Sequence, residues 1–176
     1  MLSAPIVIEP ATGDIIDLAA MKLFLRIDGS ALDDEIGMHV MAVVADIEQM
    51  TSTRLADQVV EIRADRFADL DHLSVGPVQD IVQLRYQDVS GVETNLAPDA
   101  YELFGAGLAM GIRPSQGNVW PSTRPVAGPI AVQLQVGYGD ALPANISMAI
   151  KMAVRSRFDG TPFDLFGATV NDRLWL

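Results

Sequence analysis

The apolar positions in the first third of the chain follow a helical period after a short N-terminal stretch that has none. Asp14 is the expected cap of a first short helix, and Gly29 ends that helix or lies just beyond it. A longer helix is predicted from Ser30 or Asp33 to about Met50, because its apolar residues recur at steps of three and four. The stretch before the cap is expected to be an arm. The apolar faces comprise Leu18, Met21 and Leu25 in the first helix and Ile36, Val40, Val43, Ile47 and Met50 in the second.

The period changes to that of β-strands in the middle of the chain. Val82, Leu84 and Tyr86 alternate with polar residues, which is typical of a half-buried strand. The turn residues 88–91 allow residues 92–96 to return as its hairpin partner. Four or five strands are predicted in all, the others at 58–63, 101–104 and 130–136.

The last part of the chain combines a loop, a helix and an apolar end. Residues 105–129 are rich in Gly and Pro and predict a long surface loop or an irregular hairpin. Pro143 is expected at the first position of a closing helix that Gly160 ends, with an apolar stripe along it. Residues 161–176 carry aromatic and aliphatic side chains without a regular period, and they are expected to be covered by their own domain or by another chain.

These patterns predict an α+β fold with one structural domain. Residues 1–57 supply an N-terminal arm and helices, and residues 143–176 supply the closing helix and an extended C-terminal tail. The helices from the two ends are expected to pack into one helical body. A β-rich insertion, residues 58–142, is expected to project from that body.

Composition and charge narrow the range of functions. The chain has 176 residues, 49% of them hydrophobic, no Cys and a net charge of −11, which excludes a disordered chain, a disulfide framework and an extensive basic surface for nucleic acid. No stretch is apolar enough for a membrane span, so no membrane partner is expected. The net charge is −7 over residues 1–57 and +1 over residues 143–176. Opposite charges at the two ends would allow copies of the chain to stack head to tail. A solvated acidic surface also accounts for these counts.

The titratable residues do not form a recognisable catalytic site. Asp33, Asp34, Glu35 and His39 share one predicted helix, but consecutive side chains diverge by about 100° around a helix, and an acidic first turn explains them equally well. The chain has no Cys nucleophile, nucleophile-elbow serine or complete phosphate-binding loop. We therefore expect no enzyme activity, no cofactor and no metal site. A small metal-dependent enzyme using this acidic cluster and a small-molecule binding module in the β-rich half remain the alternatives.

Three short motifs occur in a suggestive order. They are K-x-x-L-R-I-D at 22–28, T-x-T-R at 51–54 and V-G-Y-G-D-x-x-P at 136–143, with Asp33-Asp34, the strand pair and Trp120-Pro121 between them. In this order, residues 15–160 resemble the head-tail connector (adaptor) proteins of tailed bacteriophages and of the related gene transfer agents. One departure is Arg-Ser-Arg-Phe-Asp at 155–159, where family members often have a tyrosine and an arginine-glutamate pair.

The resemblance implies a structural protein that assembles in the bacterial cytoplasm and resides in the neck of a phage or phage-like particle. Its copies would form a ring, commonly dodecameric, beneath the portal at the capsid vertex, with DNA passing through without specific binding. The ring would join the portal protein to the next neck or tail protein, and the latter is expected to contact the β-rich insertion. The implied portal-binding residues are Phe163, Leu165, Phe166, Leu174, Trp175 and Leu176. The charge distribution places the expected subunit contacts at Asp33, Asp34 and Glu35 on one side and Lys151, Arg155 and Arg157 on the other.

Overall fold

The structure is a computed structural model that describes residues 1–174, and those residues contain seven strands and four helices. The strands are β1 (Ile6–Glu9), β2 (Gln58–Ala64), β3 (Val78–Gln87), β4 (Glu93–Asn95), β5 (Tyr101–Ala106), β6 (Ala109–Pro114) and β7 (Ile130–Val136). The helices are α1 (Leu18–Leu25), α2 (Asp33–Thr51), α3 (Ala144–Asp159) and α4 (Leu165–Thr169). The α+β class predicted from the sequence is confirmed.

Five of the strands form one antiparallel sheet in the order β1-β2-β7-β3-β4, and β5 pairs with β6 in a separate hairpin. The alternation along β7 buries Ile130, Val132, Leu134 and Val136 on one face of the sheet. This face forms the first apolar core together with buried residues of β2, β3 and the hairpin. The predicted hairpin of β3 and β4 is confirmed, with Arg85 paired with Asn95.

The helices form the second apolar core. Ile36, Val43 and Ile47 of α2 are buried as the period predicted. They face the predicted stripe of α3, which is also buried: Ile146, Ala149, Ile150, Ala153 and Val154. No helix within residues 1–174 has the length and apolar character needed to cross a membrane.

The helix ends differ in part from the sequence predictions. Helix α1 is capped by Asp17, whose carboxylate accepts from the Ala19 N–H at 3.2 Å, and not by Asp14. It ends at Leu25, because Arg26 adopts a left-handed conformation. Pro143 precedes α3 instead of filling its first position, whereas Gly160 ends that helix as predicted.

The N-terminal arm contains a strand that the sequence did not predict. Strand β1 lies at the edge of the sheet, where Ile6 pairs with Glu61 and Val7 with Val60 of β2. Six strands lie within 58–137 instead of four or five. A run of only three β-branched residues between Pro5 and Pro10 is too short to show a period, so pairing with β2 determines this strand.

The Gly- and Pro-rich region divides into two parts. Its first part forms most of the β5–β6 hairpin, and residues 115–129 form a loop without helix or strand. Trp120 attaches this loop to the sheet core by stacking on Phe67, with ring centroids 4.4 Å apart and planes 7° from parallel. The Arg124 N–H donates to the Gln87 carbonyl at 3.1 Å.

The tail was predicted to be extended, but its residues 161–174, which the structure describes, are folded. After Gly160 the chain turns into α4, and Phe163 and Leu165 pack against the helical core. The physical reason is that the helical core has an open apolar side that these residues cover. Trp175 and Leu176, two of the expected portal-binding residues, lie outside the described residues.

Candidate assembly surfaces

The V-G-Y-G-D motif forms the junction between β7 and the helical body. Gly137 has a φ of +127°, and a Cβ there would lie 2.6 Å from the Ala56 carbonyl oxygen. The Asp57 carboxylate accepts from the Gly139 N–H at 2.8 Å and from the Gln79 side-chain amide at 2.6 Å. Burial, followed by the nearby charge of Asp172, raises the pKa of the Tyr138 phenol. This motif therefore has a structural role.

The T-x-T-R motif joins α2 to the sheet. Thr51 donates its hydroxyl to the Ile47 carbonyl at 2.6 Å, and its Oγ1 also lies 2.6 Å from Oγ1 of Thr53; both hydroxyls are buried. The Arg54 N–H donates to the Gly76 carbonyl at 2.7 Å. These bonds hold the end of α2 against the start of the sheet.

The K-x-x-L-R-I-D motif forms the link between α1 and α2. Lys22 Nζ lies 2.6 Å from Asp33 Oδ1, and the Ile27 N–H donates to the Lys22 carbonyl at 3.0 Å. With Arg26 in the left-handed conformation, the chain reverses directly after α1. All three motifs thus stabilise connections between elements, and none of them forms a chemical site.

The C-terminal segment, residues 161–174, packs on the helical body of its own chain. Leu174 is only 6% exposed, and its N–H donates to the Thr51 carbonyl at 2.8 Å. The Asp164 carboxylate caps α4 by accepting from the Gly167 N–H at 2.9 Å. Phe166, by contrast, points away from the core and is 49% exposed. Among the expected portal-binding residues in the described part of the chain, Phe166 offers the most accessible apolar surface.

Several of the charged residues expected at subunit contacts make ion pairs within the chain. Asp33 pairs with Lys22, Arg157 pairs with Asp46, and Arg155 lies 3.3 Å from Asp159. The Arg155 guanidinium also lies over the Phe24 ring, 5.8 Å from its centroid. Two others, Asp34 and Glu35, are exposed. Lys151 forms no ion pair with any part of the chain that the structure describes.

An apolar groove runs along one side of α2. Its volume is about 560 Å³, and residues 11–18 form its other wall. The lining is mainly aliphatic, with Val40, Met41 and Val44 from α2, and it includes the carboxylates of Asp14 and Glu48. The sequence did not predict this groove, because the arm lacked a period that would place it beside α2.

An apolar ridge lies on the outer side of α3. Met148 and Met152 are 51% and 38% exposed, and they follow each other one helical turn apart. Lys151 lies between them in sequence, and Arg155 follows in the next turn. In the sequence, this ridge is visible only as two Met residues outside the apolar stripe of the closing helix.

The start of the arm is held to the sheet by charge. The Met1 amino group lies 2.5 Å from Asp69 and 3.3 Å from Asp65. The hydrogen bond with Asp69 raises the pKa of this amino group and lowers that of Asp69. The pKa of Asp65 is also lowered, first by the Gly128 N–H that donates to it. These contacts position the arm that continues into the groove wall.

The acidic cluster at the start of α2 has the geometry of a solvated helix end. Asp33 turns to Lys22, while His39 Nε2 lies 3.8 Å from the Glu35 carboxylate one turn earlier. Within residues 1–174, no group of three His, Asp or Glu side chains is arranged to hold a metal ion.

Comparison with known proteins identifies the fold. No family model matches the chain, and no curated protein matches it in sequence. A chain from the neck of an empty gene transfer agent (GTA) particle computed with C6 symmetry superposes with a TM-score of 0.79 at 20% identity, over 99% of this chain and 97% of that one. This chain has the fold of a GTA neck protein.

Two further solved structures agree with this assignment. A chain from the virion of a native GTA particle gives a TM-score of 0.77 at 22% identity, covering 99% of this chain and 97% of that one. A chain from the neck of a native GTA particle computed with C12 symmetry gives 0.67 at 20% identity, covering 96% of each chain. The resemblance to connector proteins predicted from the motifs is therefore confirmed at the level of the fold.

Proposed function

We propose that this chain is a structural head-tail connector, or adaptor, in the neck of a gene transfer agent or related phage-like particle. The observation that carries the proposal is similarity over the whole chain, with a TM-score of 0.79 across 99% of its length. All three motifs lie at connections between elements, where they stabilise the arrangement of those elements. This location supports a structural role for them. A structural role requires no catalytic residue, cofactor or metal.

The copies form a ring of twelve subunits beneath the portal at the capsid vertex, and DNA passes through it. The C6 and C12 symmetries used for the similar necks support a ring. The net charge of −11 supports passage without binding, because an acidic wall repels phosphates. Assembly takes place in the bacterial cytoplasm.

The portal contact in this proposal lies on the C-terminal segment. Phe166 supplies exposed aromatic surface, and Trp175 and Leu176 belong to the same contact. Phe163, Leu165 and Leu174 pack on the subunit itself and position the segment. Asp34, Glu35 and Lys151 are the expected subunit-contact residues that remain available to a neighbouring copy.

The next neck or tail protein contacts the β-rich part of the subunit. The loop of residues 115–129 exposes Val119, which has 86% of its surface accessible. Replacing residues 116–119, which include Val119 but not Trp120, with a Gly-Ser linker of equal length is expected to block tail joining. Normal joining with the replaced loop contradicts this contact.

Locating the chain in particles tests the proposed function. A tagged copy is expected in purified particles, at the neck in electron micrographs, and deletion of its gene is expected to leave filled heads without tails. A chain absent from the particles, or particles that assemble normally without it, overturns the proposal.

The portal contact has a separate test with a matched control. Phe166→Ala is expected to weaken capture of the portal protein, because it removes an exposed aromatic anchor without opening the core. Val119→Ala, a change at a more exposed apolar residue on the β-rich side, is expected to leave capture unchanged. Equal capture by both variants contradicts the portal assignment.

A further inference from the structure

The groove beside α2 and the ridge on α3 lie on different sides of the helical body. On α2, Gly37 lines the groove, and Asp46 is nine residues later, which is about 180° around the helix. Asp46 pairs with Arg157 of α3. On α3, Met148 and Met152 lie about 200° around the helix from members of its buried stripe, so the ridge faces away from the helical core and not toward the groove of its own chain.

The two surfaces are both apolar, one a groove and the other a pair of exposed side chains. The groove offers aliphatic walls, and the ridge offers Met148 and Met152, whose flexible side chains adapt to irregular spaces. At Gly37, a Cβ would have no other atom within 4 Å, so the groove floor is open down to the helix backbone. A glycine inside a helix lowers the stability of that helix. At this position it also leaves room for a side chain of another molecule to approach the backbone.

Their charges are complementary as well. Asp14 makes the rim of the groove acidic, and its carboxylate has no ion-pair partner within residues 1–174. The Glu48 carboxylate is already engaged, by the Leu55 N–H at 2.8 Å and by Arg54 at 3.9 Å. Lys151 makes the ridge basic, and it has no ion-pair partner within residues 1–174. Opposite charges at the rims of apolar patches fix the register of an interface.

We propose that the α3 ridge of one copy occupies the α2 groove of the next copy, with Lys151 facing Asp14 across the contact. The occupant of the groove is a second copy, because each chain carries both the groove and the ridge, and the two lie on different sides. A contact between two different surfaces repeats from subunit to subunit and closes into a ring when the rotation is suitable. The inference rests on the proposed ring and identifies the surfaces that form it.

Cysteine cross-linking tests the contact directly, since the chain has no Cys. The double variant Met41→Cys/Met148→Cys is expected to give a ladder of oligomers on oxidation at high protein concentration. Met41→Cys mixed with Met148→Cys is expected to give dimers that contain one chain of each kind. Val119→Cys/Met148→Cys is the control and is expected to give no ladder. The absence of a ladder from the first variant, or equal ladders from both double variants, overturns the proposal.

Filling the groove supplies a second measurement on the same cross-link. Gly37→Trp in the double-Cys chain is expected to slow ladder formation at least about tenfold, the factor that a modest loss of contact energy produces. Gly37→Ala, which leaves most of the groove open, is the matched control. Melting curves confirm that both variants fold. An equal cross-linking rate for Trp and Ala overturns the groove assignment.

A charge exchange tests the register. Lys151→Glu and Asp14→Lys are each expected to slow cross-linking, and the two changes together are expected to restore it. Additive losses in the combined variant contradict the Lys151–Asp14 pairing. The outcomes separate the two proposals: a chain found in the neck without the cross-link refutes the contact alone, whereas cross-linked chains absent from particles refute the neck function.

Discussion

At Gly137, any side chain would collide with the backbone of Ala56, the residue two positions before β2. The Gly137 φ of +127° disfavours other residues, and a Cβ would lie 2.6 Å from the Ala56 carbonyl oxygen. We expect Gly137→Ala to lower the free energy of unfolding by at least about 2 kcal/mol, through backbone strain and overpacking together. Urea denaturation measures this loss.

Gly117→Ala is the matched control for that prediction. Its φ is +88°, but a Cβ there would meet no atom within 4 Å. The control retains the backbone strain and lacks the collision, so its loss is expected to be smaller. Equal losses for the two variants would show that the contact with Ala56 has no effect.

Asp88 organises the turn between β3 and β4 through one carboxylate oxygen. Its Oδ1 accepts from the Ser90 hydroxyl at 2.6 Å and from the N–H groups of Ser90 and Val92 at 2.8 and 3.0 Å. The Ser90 hydroxyl, followed by the Val92 N–H, lowers the pKa of Asp88 below its ordinary 3.8. The carboxylate therefore stabilises the turn above the unfolded pKa, and this stabilisation is lost as the pH falls through the folded pKa.

Asp88→Asn tests this pH dependence without removing the acceptor, because an amide Oδ1 accepts the same bonds and does not titrate. In an NMR titration, the Val92 amide of the wild-type chain is expected to shift at a pH below 3.8. The same amide in Asp88→Asn should show no such step. A step of equal size in the variant would assign the titration to another group.

At the scale of elements, the end of α2 depends on a pair of buried hydroxyls. Thr51→Val keeps the shape of the side chain but leaves the Thr53 hydroxyl buried without its partner. We expect a loss of about 1–3 kcal/mol in the free energy of unfolding, the usual cost of one unsatisfied polar group.

The double variant Thr51→Val/Thr53→Val is the informative comparison for this pair. Removing both hydroxyls leaves no unpaired partner at the site. It is therefore expected to cost less than the sum of the single changes. Strict additivity in chemical denaturation would mean that the two hydroxyls act independently.

The C-terminal segment contributes to its own subunit as well as to the proposed portal contact. Leu174→Ala is expected to lower the free energy of unfolding by about 2–5 kcal/mol, because Leu174 is buried against the end of α2. Phe166→Ala is the control and is expected to change it by less than about 1 kcal/mol, because Phe166 is half exposed. Equal stabilities would show that the segment does not pack on the helices in solution.

At the scale of the whole molecule, the net charge determines whether the chain binds DNA. With a net charge of −11 and only 12 basic residues, the chain as a whole repels phosphates. We expect no retardation of duplex DNA at protein concentrations up to about 10⁻⁴ M and physiological salt, where typical non-specific binders are already bound. A shift at micromolar concentration would contradict a channel that DNA passes freely.

Local periodicity was sufficient to predict the helical body. Ile36, Val43 and Ile47 of α2 and Ile146 and Ile150 of α3 are buried as expected, because a period of 3.6 records which side of a helix faces the core. Strand β1 was missed because its four residues are too few to show a periodic pattern. Helix α4 was missed because Phe163 and Leu165 show no local period, and their packing depends on core residues distant in sequence.

For the candidate assembly surfaces, the sequence predicted the fold and named contact residues that stay predictions. The three motifs and their order indicated the connector fold, and Phe166 was among the residues expected to face a partner. The groove was not visible, because its walls come from residues 11–18 and α2, and no sequence pattern relates an irregular arm to a particular helix face.

The sequence by itself determined the two helical stripes, the alternating strands, the acidic charge and the residues at the connections. Those properties depend on neighbours within a few positions along the chain. Only the tertiary structure decided that the arm pairs with β2, that Leu174 is buried on its own subunit, and that the groove and the ridge lie on different sides of the helices. The reason is that these features arise from contacts between residues distant in sequence, and their free energy appears only when both surfaces are formed and brought together.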